Sequence, residues 1–230
     1  MSVVIVGMLD EREEVLKIIK EQIEQQGHKA ILIDISIGTG AGLPALRADV
    51  NGDEIARLVG STIEEIKAMP TKERERATSI MAEGLTKKVL ELFQKGELKG
   101  IIAIAGMTGT FLSITAMKAL PFGVPKLLIS SVTAMPAYAT QFSEYFGLRD
   151  ITVMHSVVDT VGLNPLVKTL AVNGANAICG MVEGFKSLKK EEKPSIAITE
   201  FGFVDKGAHY VRELLEKDYH LVSFHATGLG

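Results

Sequence analysis

Short runs of β-branched and aliphatic residues alternate with helix-period segments along the whole chain, and this order leaves few folds open. The first run, Val3-Val4-Ile5-Val6, is followed by residues 11–26, where Val15, Ile18, Ile19 and Ile23 recur on one helical face until Gly27 ends the pattern. Strands are read at residues 2–7, 29–34, 100–105, 125–130, 151–157, 195–199 and 220–225. Between them, helices are read at 11–26, 53–59, 61–69, 71–94, 110–119, 165–188 and 206–217, with a long glycine-containing loop at 35–51. Strand–helix–strand order needs crossover connections and so implies parallel pairing. The expected fold is α/β: a doubly wound, mostly parallel sheet with helices on both faces.

Local signals refine this reading. Residues 61–64 have the capping-box form, Ser61 followed three positions later by Glu64. Residues 71–94 read as one long helix with the apolar stripe Ile80, Met81, Leu85, Val89, Leu90 and Phe93. Pro165 suits the first turn of the last long helix. The charged stretch 186–193, closed by Pro194, is the best linker, dividing a domain at 1–190 from a β-α-β segment at 191–230. The sequence stops just after a strand, at Ala226-Thr227-Gly228-Leu229-Gly230, where this class normally continues into a helix. The segment 191–230 therefore reads as the opening of a second, truncated α/β domain, with a partner chain or a missing half supplying the rest.

Charge and cysteine usage narrow the function. A net charge of −3 offers no broad basic surface for nucleic acid or anionic lipid. The single cysteine, Cys179, cannot form an intramolecular disulfide, which fits a cytoplasmic protein, and it lies in an apolar helical pattern as a packing residue. No signal peptide is read at the N-terminus, and the apolar runs are too short to span a bilayer.

Ligands of parallel α/β sheets bind beyond the carboxyl ends of the strands, so polar residues there are the candidates. The strand at 100–105 runs into Gly106-Met107-Thr108-Gly109-Thr110 and then a helix. Glycines allow close backbone approach, and free N–H groups at a helix start favour an anion. Thr108 and Thr110 add hydroxyls, or Thr110 serves as the N-cap. No lysine follows the second glycine as in a Walker A loop, and no G-x-G-x-x-G is present. Ser130-Ser131-Val132-Thr133 forms a second hydroxyl-rich strand end, contacting phosphate or sugar or satisfying turn backbone. Gly38, Thr39 and Gly40 follow the second strand, where they close over the same crevice or simply lend mobility. Asp34, at that strand's end, is a candidate for a ribose hydroxyl or a metal-bound water, or for an Asx turn. His155, Ser156 and Asp159 invite a hydrolase reading, but strand alternation puts His155 and Ser156 on opposite faces, which favours a structural histidine. His225 and Thr227 belong to the last strand's end. No Cys/His spacing suggests a metal.

The runs from Gly100 to Thr110 and from Ala116 to Lys126 resemble the Tm-one-like ATP-binding domain family, named for a tomato mosaic virus resistance protein. The resemblance continues through Ser131, Met154 to Asp159, Gly162-Leu163-Asn164 and Phe224 to Gly228. It implies two consecutive Rossmann-like units, ATP in the first, and dimers in some relatives. By position, it implies phosphates at Gly106, Thr108, Gly109 and Thr110, with Ser131 and Thr133 alongside and Mg²⁺ as the companion ion. Met107 departs from a more glycine-rich family turn, though its backbone N–H remains available. The expected function is ATP binding with no assigned reaction, since no general base is evident. The alternatives are an enzyme for a small phosphorylated or carboxylated metabolite, with catalytic groups in a missing C-terminal half, and a non-catalytic oligomerisation domain.

Overall fold

Apolar runs buried on both faces can only be satisfied by a central sheet, and five of them form one. The computed structural model describes residues 1–40, 42–146, 149–185, 193–201 and 205–226, without the side chains of 139 and 143–146. Strands β1 (Ser2–Gly7), β2 (Lys29–Asp34), β3 (Gly100–Ile104), β4 (Lys126–Ser130) and β5 (Thr152–His155) pair in the order β2-β1-β3-β4-β5. Every pairing is parallel. The chain builds outward from β1 to β2, then crosses back over β1 to start β3. That reversal between β1 and β3 is the topological switch point.

Alternating side chains serve two cores. Val4, Val6, Ile31, Ile33, Ile101, Ala103 and Leu128 face helices α4 (Arg74–Gln94) and α5 (Met107–Ala119), through Met81, Leu85, Val89, Leu112 and Ala116. Val3, Ile5, Leu32, Ile102, Ile104 and Ile129 face α1 (Leu9–Gln25) and α7 (Pro165–Gly184), through Leu16, Ile19, Ile23, Ala171, Ala175 and Ile178. Each fully buried aliphatic side chain contributes roughly 1.5–3 kcal/mol. Lys126 is the exception in a strand otherwise apolar up to Ser130. Its side chain is wholly buried, and Nζ donates to the carbonyls of Pro121 (2.8 Å) and Val124 (2.9 Å) and to Asp150 Oδ1 (2.9 Å).

Several boundaries differ from the sequence reading. The short helices α2 (Gly52–Arg57) and α3 (Ile63–Ala68) each carry a capping box, but in α3 it joins Thr62 to Glu65, one residue beyond the Ser61–Glu64 pair; Ser61 instead bonds Glu65 through its hydroxyl. The long helix opens with a separate 3₁₀ turn at Thr71–Glu73. α5 begins at Met107 rather than Thr110, so Gly106 occupies the N-cap position and Thr110 lies within the helix. A helix the sequence did not reveal, α6 (Pro136–Phe146), follows a 3₁₀ turn at Val132–Ala134; its proline starts the helix. The strand β5 stops at His155 because the chain turns sharply at Val157. Most of the linker at 186–193 lies outside the described residues, as do Thr227 and Gly228. Beyond the linker, β6 (Ser195–Glu200), α8 (Asp205–Leu215) and β7 (His220–His225) make the expected parallel β-α-β unit.

Candidate functional site

At the switch point β1 leads into α1 and β3 leads into α5, so two helix N-termini open on one edge. Gly106 (φ −81°, ψ −159°) precedes α5 without a side-chain cap, which leaves first-turn N–H groups uncapped. The guanidinium of Arg12 meets this end. Its Nη2 lies 2.7 Å from the point a Cβ on Gly106 would occupy, so a larger residue there displaces it. Arg12 itself has non-helical backbone angles (φ −134°, ψ 27°) that break α1 within its first turn.

Arg12 is 2% exposed at its side chain, and its head is held from three sides. Nε donates to Thr160 Oγ1 at 2.8 Å, Nη1 pairs with the Glu11 carboxylate, and Nη2 reaches Asp159 Oδ1 at 3.4 Å. Glu11 extends the network, its Oε1 accepting from Thr39 Oγ1 at 2.7 Å. The buried cation and the α5 N-terminus, worth about half a positive charge, have the same sign and face each other across Gly106. Glu11 (21% exposed) and Asp159 (74% exposed) both oppose that positive field, and the part-buried Asp10 carboxylate lies next to them in the chain.

The loop after β2 closes over α1. A Cβ on Gly40 would sit 2.2 Å from the Asp10 carbonyl oxygen, so close packing, not mobility, requires this glycine. Gly40 N–H donates to Asp10 Oδ2 at 3.0 Å, while Asp10 Oδ1 is buried without a partner among the described residues. Gly38 sits in the left-handed region at φ +78°. Asp34 Oδ1 accepts from Ser36 N (3.0 Å), Ser36 Oγ (2.5 Å) and Leu9 N (3.1 Å), which is the Asx-turn alternative joined to a cap on α1.

The other candidates divide. At the α5 end Met107 is exposed and Thr108 half-buried, and Gly109 is buried beside Ala105 and Met8. Thr110 is wholly buried, and its hydroxyl shares a 2.8 Å hydrogen bond with Ser130 under the turn, so it is neither an N-cap nor turned toward the edge. Ser130 Oγ also accepts from Val132 N at 3.1 Å, and Ser131 and Thr133 are half-buried on the turn that follows. His155 is exposed and Ser156 buried, on opposite faces as alternation requires; Ser156 Oγ donates to Val158 O at 2.7 Å and is no free nucleophile. Val157, a β-branched residue at φ +64°, costs about 1–3 kcal/mol of backbone strain. The strained turn leads directly into Asp159 and Thr160. Burial and the nearby Glu183 carboxylate push the Cys179 thiol up to about 11, as befits a packing residue.

Sequence reasoning missed Arg12 and Thr160. The available signal was a lone arginine in the acidic run Asp10-Glu11-Arg12-Glu13-Glu14, directly after the first strand. It also missed a cleft of about 500 Å³ between α4, α5 and α6, because α6 itself was not read. Among the described residues no helix is long and apolar enough to cross a membrane, and no group of three or more His, Cys, Asp or Glu is placed to hold a metal.

Strand order, all-parallel pairing and helices on both faces define an α/β, Rossmann-like protein. The chain belongs to the uncharacterised protein family UPF0261, whose N-terminal domain matches residues 1–187. It is 36% identical over 230 residues to a UPF0261 protein of Clostridium tetani, covering 100% of this chain and 54% of that protein. A Brucella suis UPF0261 protein is 29% identical over 99% of this chain and 53% of its own length. The chain thus spans about half the length of the curated relatives it matches. The ToMV resistance protein Tm-1(GCR237) of Solanum lycopersicum is 34% identical over 65% of this chain and 21% of that protein. Among solved structures, an archaeal flavodoxin aligns with TM-score 0.37 and 10% identity, over 80% of this chain and 99% of that one.

Proposed function

We propose that this chain binds the phosphates of a nucleotide, ATP with Mg²⁺, at the amino end of α5, as the binding domain of a longer cytoplasmic protein. The supporting observation is the buried Arg12 guanidinium facing an uncapped helix N-terminus across Gly106. Two like-signed groups held together in a partly desolvated edge gain most when an anion sits between them. The residues fit a phosphate: Gly106 keeps the approach open, the first-turn amides of Met107, Thr108 and Gly109 donate, and Thr108 adds a hydroxyl. Ser131 and Thr133, on the neighbouring strand end, are the next donors along the edge. Asp34, Gly38, Thr39 and Gly40 act indirectly, by holding Glu11 and the start of α1. Bound Mg²⁺ would supply charge neutralisation of the phosphates.

Calorimetric titration with ATP and Mg²⁺ tests this reading, and absence of heat at millimolar nucleotide overturns it. The same edge suits a phosphorylated or carboxylated metabolite, because an arginine and a helix end recognise either group. A thermal-shift panel separates the two: stabilisation by sugar phosphates or carboxylates but not by ATP favours the second. We also propose that the chain self-associates as a dimer or pairs with a chain supplying the second α/β unit, which light scattering would reveal.

A further inference from the structure

We propose that a pocket at the amino end of the sheet, on the side away from the α5 edge, binds a small amphiphilic monocarboxylate. It opens between the end of α4, the approach to β3, the α5–β4 turn and the end of α7, with a volume of about 550 Å³, within the range of small-ligand sites. Phe93, Phe122 and Phe185 supply walls from three different elements, Pro121 and Val124 lie between them, and Lys99 is the one charged residue among the described lining. Phe122 is 69% exposed, yet the turn that presents it is fixed from beneath. Wholly buried Lys126 donates to the carbonyls of Pro121 and Val124, which bracket Phe122 and Gly123. Gly123, in the left-handed region at φ +91°, donates its N–H to Asp150 Oδ2 at 2.6 Å. A ring held on such a turn gives up little freedom when a ligand packs on it.

The charge at the mouth sets the ligand's head group. Lys99 is exposed and makes no ion pair with Glu97 or any other described residue. Its ammonium stands beside the turn that closes α4, 3.9 Å from where a Cβ on Gly96 would lie. Helix C-termini carry partial negative charge, but the ends gathered here are already matched. Lys126 and Arg149 bond the carbonyls of Pro121 and Lys118 after and at the end of α5, and the N–H groups of Lys95, Gly96 and Glu97 close α4. The Asp150 carboxylate is committed to Lys126 and Gly123. One cation is left over at the mouth of an aromatic pocket, so charge complementarity favours an anionic head over an amine, and the phenylalanines take an alkyl or aryl body. A single ammonium with no helix N-terminus beside it suits a carboxylate better than a phosphate.

The test titrates the whole chain with octanoate, 1-octanol and octylammonium, each below its aggregation threshold, and repeats the series on Lys99→Met and Phe122→Ser. Both substitutions fall at exposed positions, so neither removes a buried group. Octanoate should bind about fivefold more tightly than 1-octanol, the worth of one exposed charge pair, and octylammonium should bind most weakly. In Lys99→Met, octanoate should fall to the affinity of 1-octanol while 1-octanol stays within about twofold. In Phe122→Ser, octanoate and 1-octanol should both weaken about tenfold. Failure of octanoate to bind at millimolar concentration overturns the site, and so does octanoate binding that Phe122→Ser leaves unchanged. Octylammonium binding as tightly as octanoate, or octanoate binding unmoved in Lys99→Met, overturns the carboxylate as its ligand.

Discussion

Replacing Arg12 by methionine keeps most of the side-chain volume and deletes the charge. Three contacts are lost: the bond to Thr160, the pair with Glu11 and the longer contact with Asp159. Breaking a fully buried pair costs about 3–5 kcal/mol, but that figure assumes the abandoned charge stays buried. Here Asp159 is 74% exposed and simply hydrates, while Glu11 is 21% exposed and keeps its bond from Thr39. The worst-placed orphan is the Thr160 hydroxyl, on a residue 1% exposed. The expected cost is therefore about 1–3 kcal/mol, a fall in melting temperature of several degrees for a chain of this size. Asp159→Asn, by the same reasoning, costs under about 0.5 kcal/mol. Urea unfolding followed by circular dichroism measures both. In the folded Arg12→Met protein, tripolyphosphate affinity should drop about 10–100-fold, the worth of a charge-assisted contact. Unchanged affinity would refute the argument from facing positive groups. Equal destabilisation by Asp159→Asn would refute the assignment of Glu11 and Thr160 as the main anchors.

Thr108→Ala should weaken ATP binding by about 1–2 kcal/mol with little change in melting temperature, as read by calorimetry. Gly84→Ala should destabilise by about 1–2 kcal/mol despite better helix propensity, because the new Cβ would lie 2.3 Å from the Ile55 carbonyl oxygen. Gly180→Ala, with nothing within 4 Å, should instead stabilise by about 0.5–1 kcal/mol in the same denaturation assay. Asp150→Asn should cost about 2–4 kcal/mol by leaving the Lys126 ammonium buried beside neutral groups, and Lys126→Met in the same chain should recover part of it. With its proton-loss midpoint raised, Cys179 stays a protonated thiol at pH 8, so a thiol reagent should titrate no group in the native protein and one in urea.

The sequence by itself determined the alternation of strands and helices, and with it the parallel sheet. Runs such as Val3 to Val6 and Ile101 to Ala105 are apolar at every position, and only a strand covered on both faces accepts that pattern. It also marked Gly106 as the turn at the edge, since a glycine between a strand and a helix is a local signal. What it did not determine were the partners that approach from far along the chain. Arg12 and Thr160 stand 148 residues apart, and Thr110 and Ser130 meet across two elements. No local periodicity encodes such meetings. The start of α5 at Met107 was not legible either, because its N-cap is Gly106, which offers no capping side chain to read. α6 escaped for a related reason. Its spacing of Tyr138, Phe142, Tyr145 and Phe146 is helical, but aromatic residues suit strands as well as helices, and only the packing of Phe142 in the core with Tyr138 against it decides the element. The sequence determined which segments must be covered. Only tertiary packing decided which charged and aromatic groups meet at the edge they share, because those encounters depend on strand order and on which face each crossover takes.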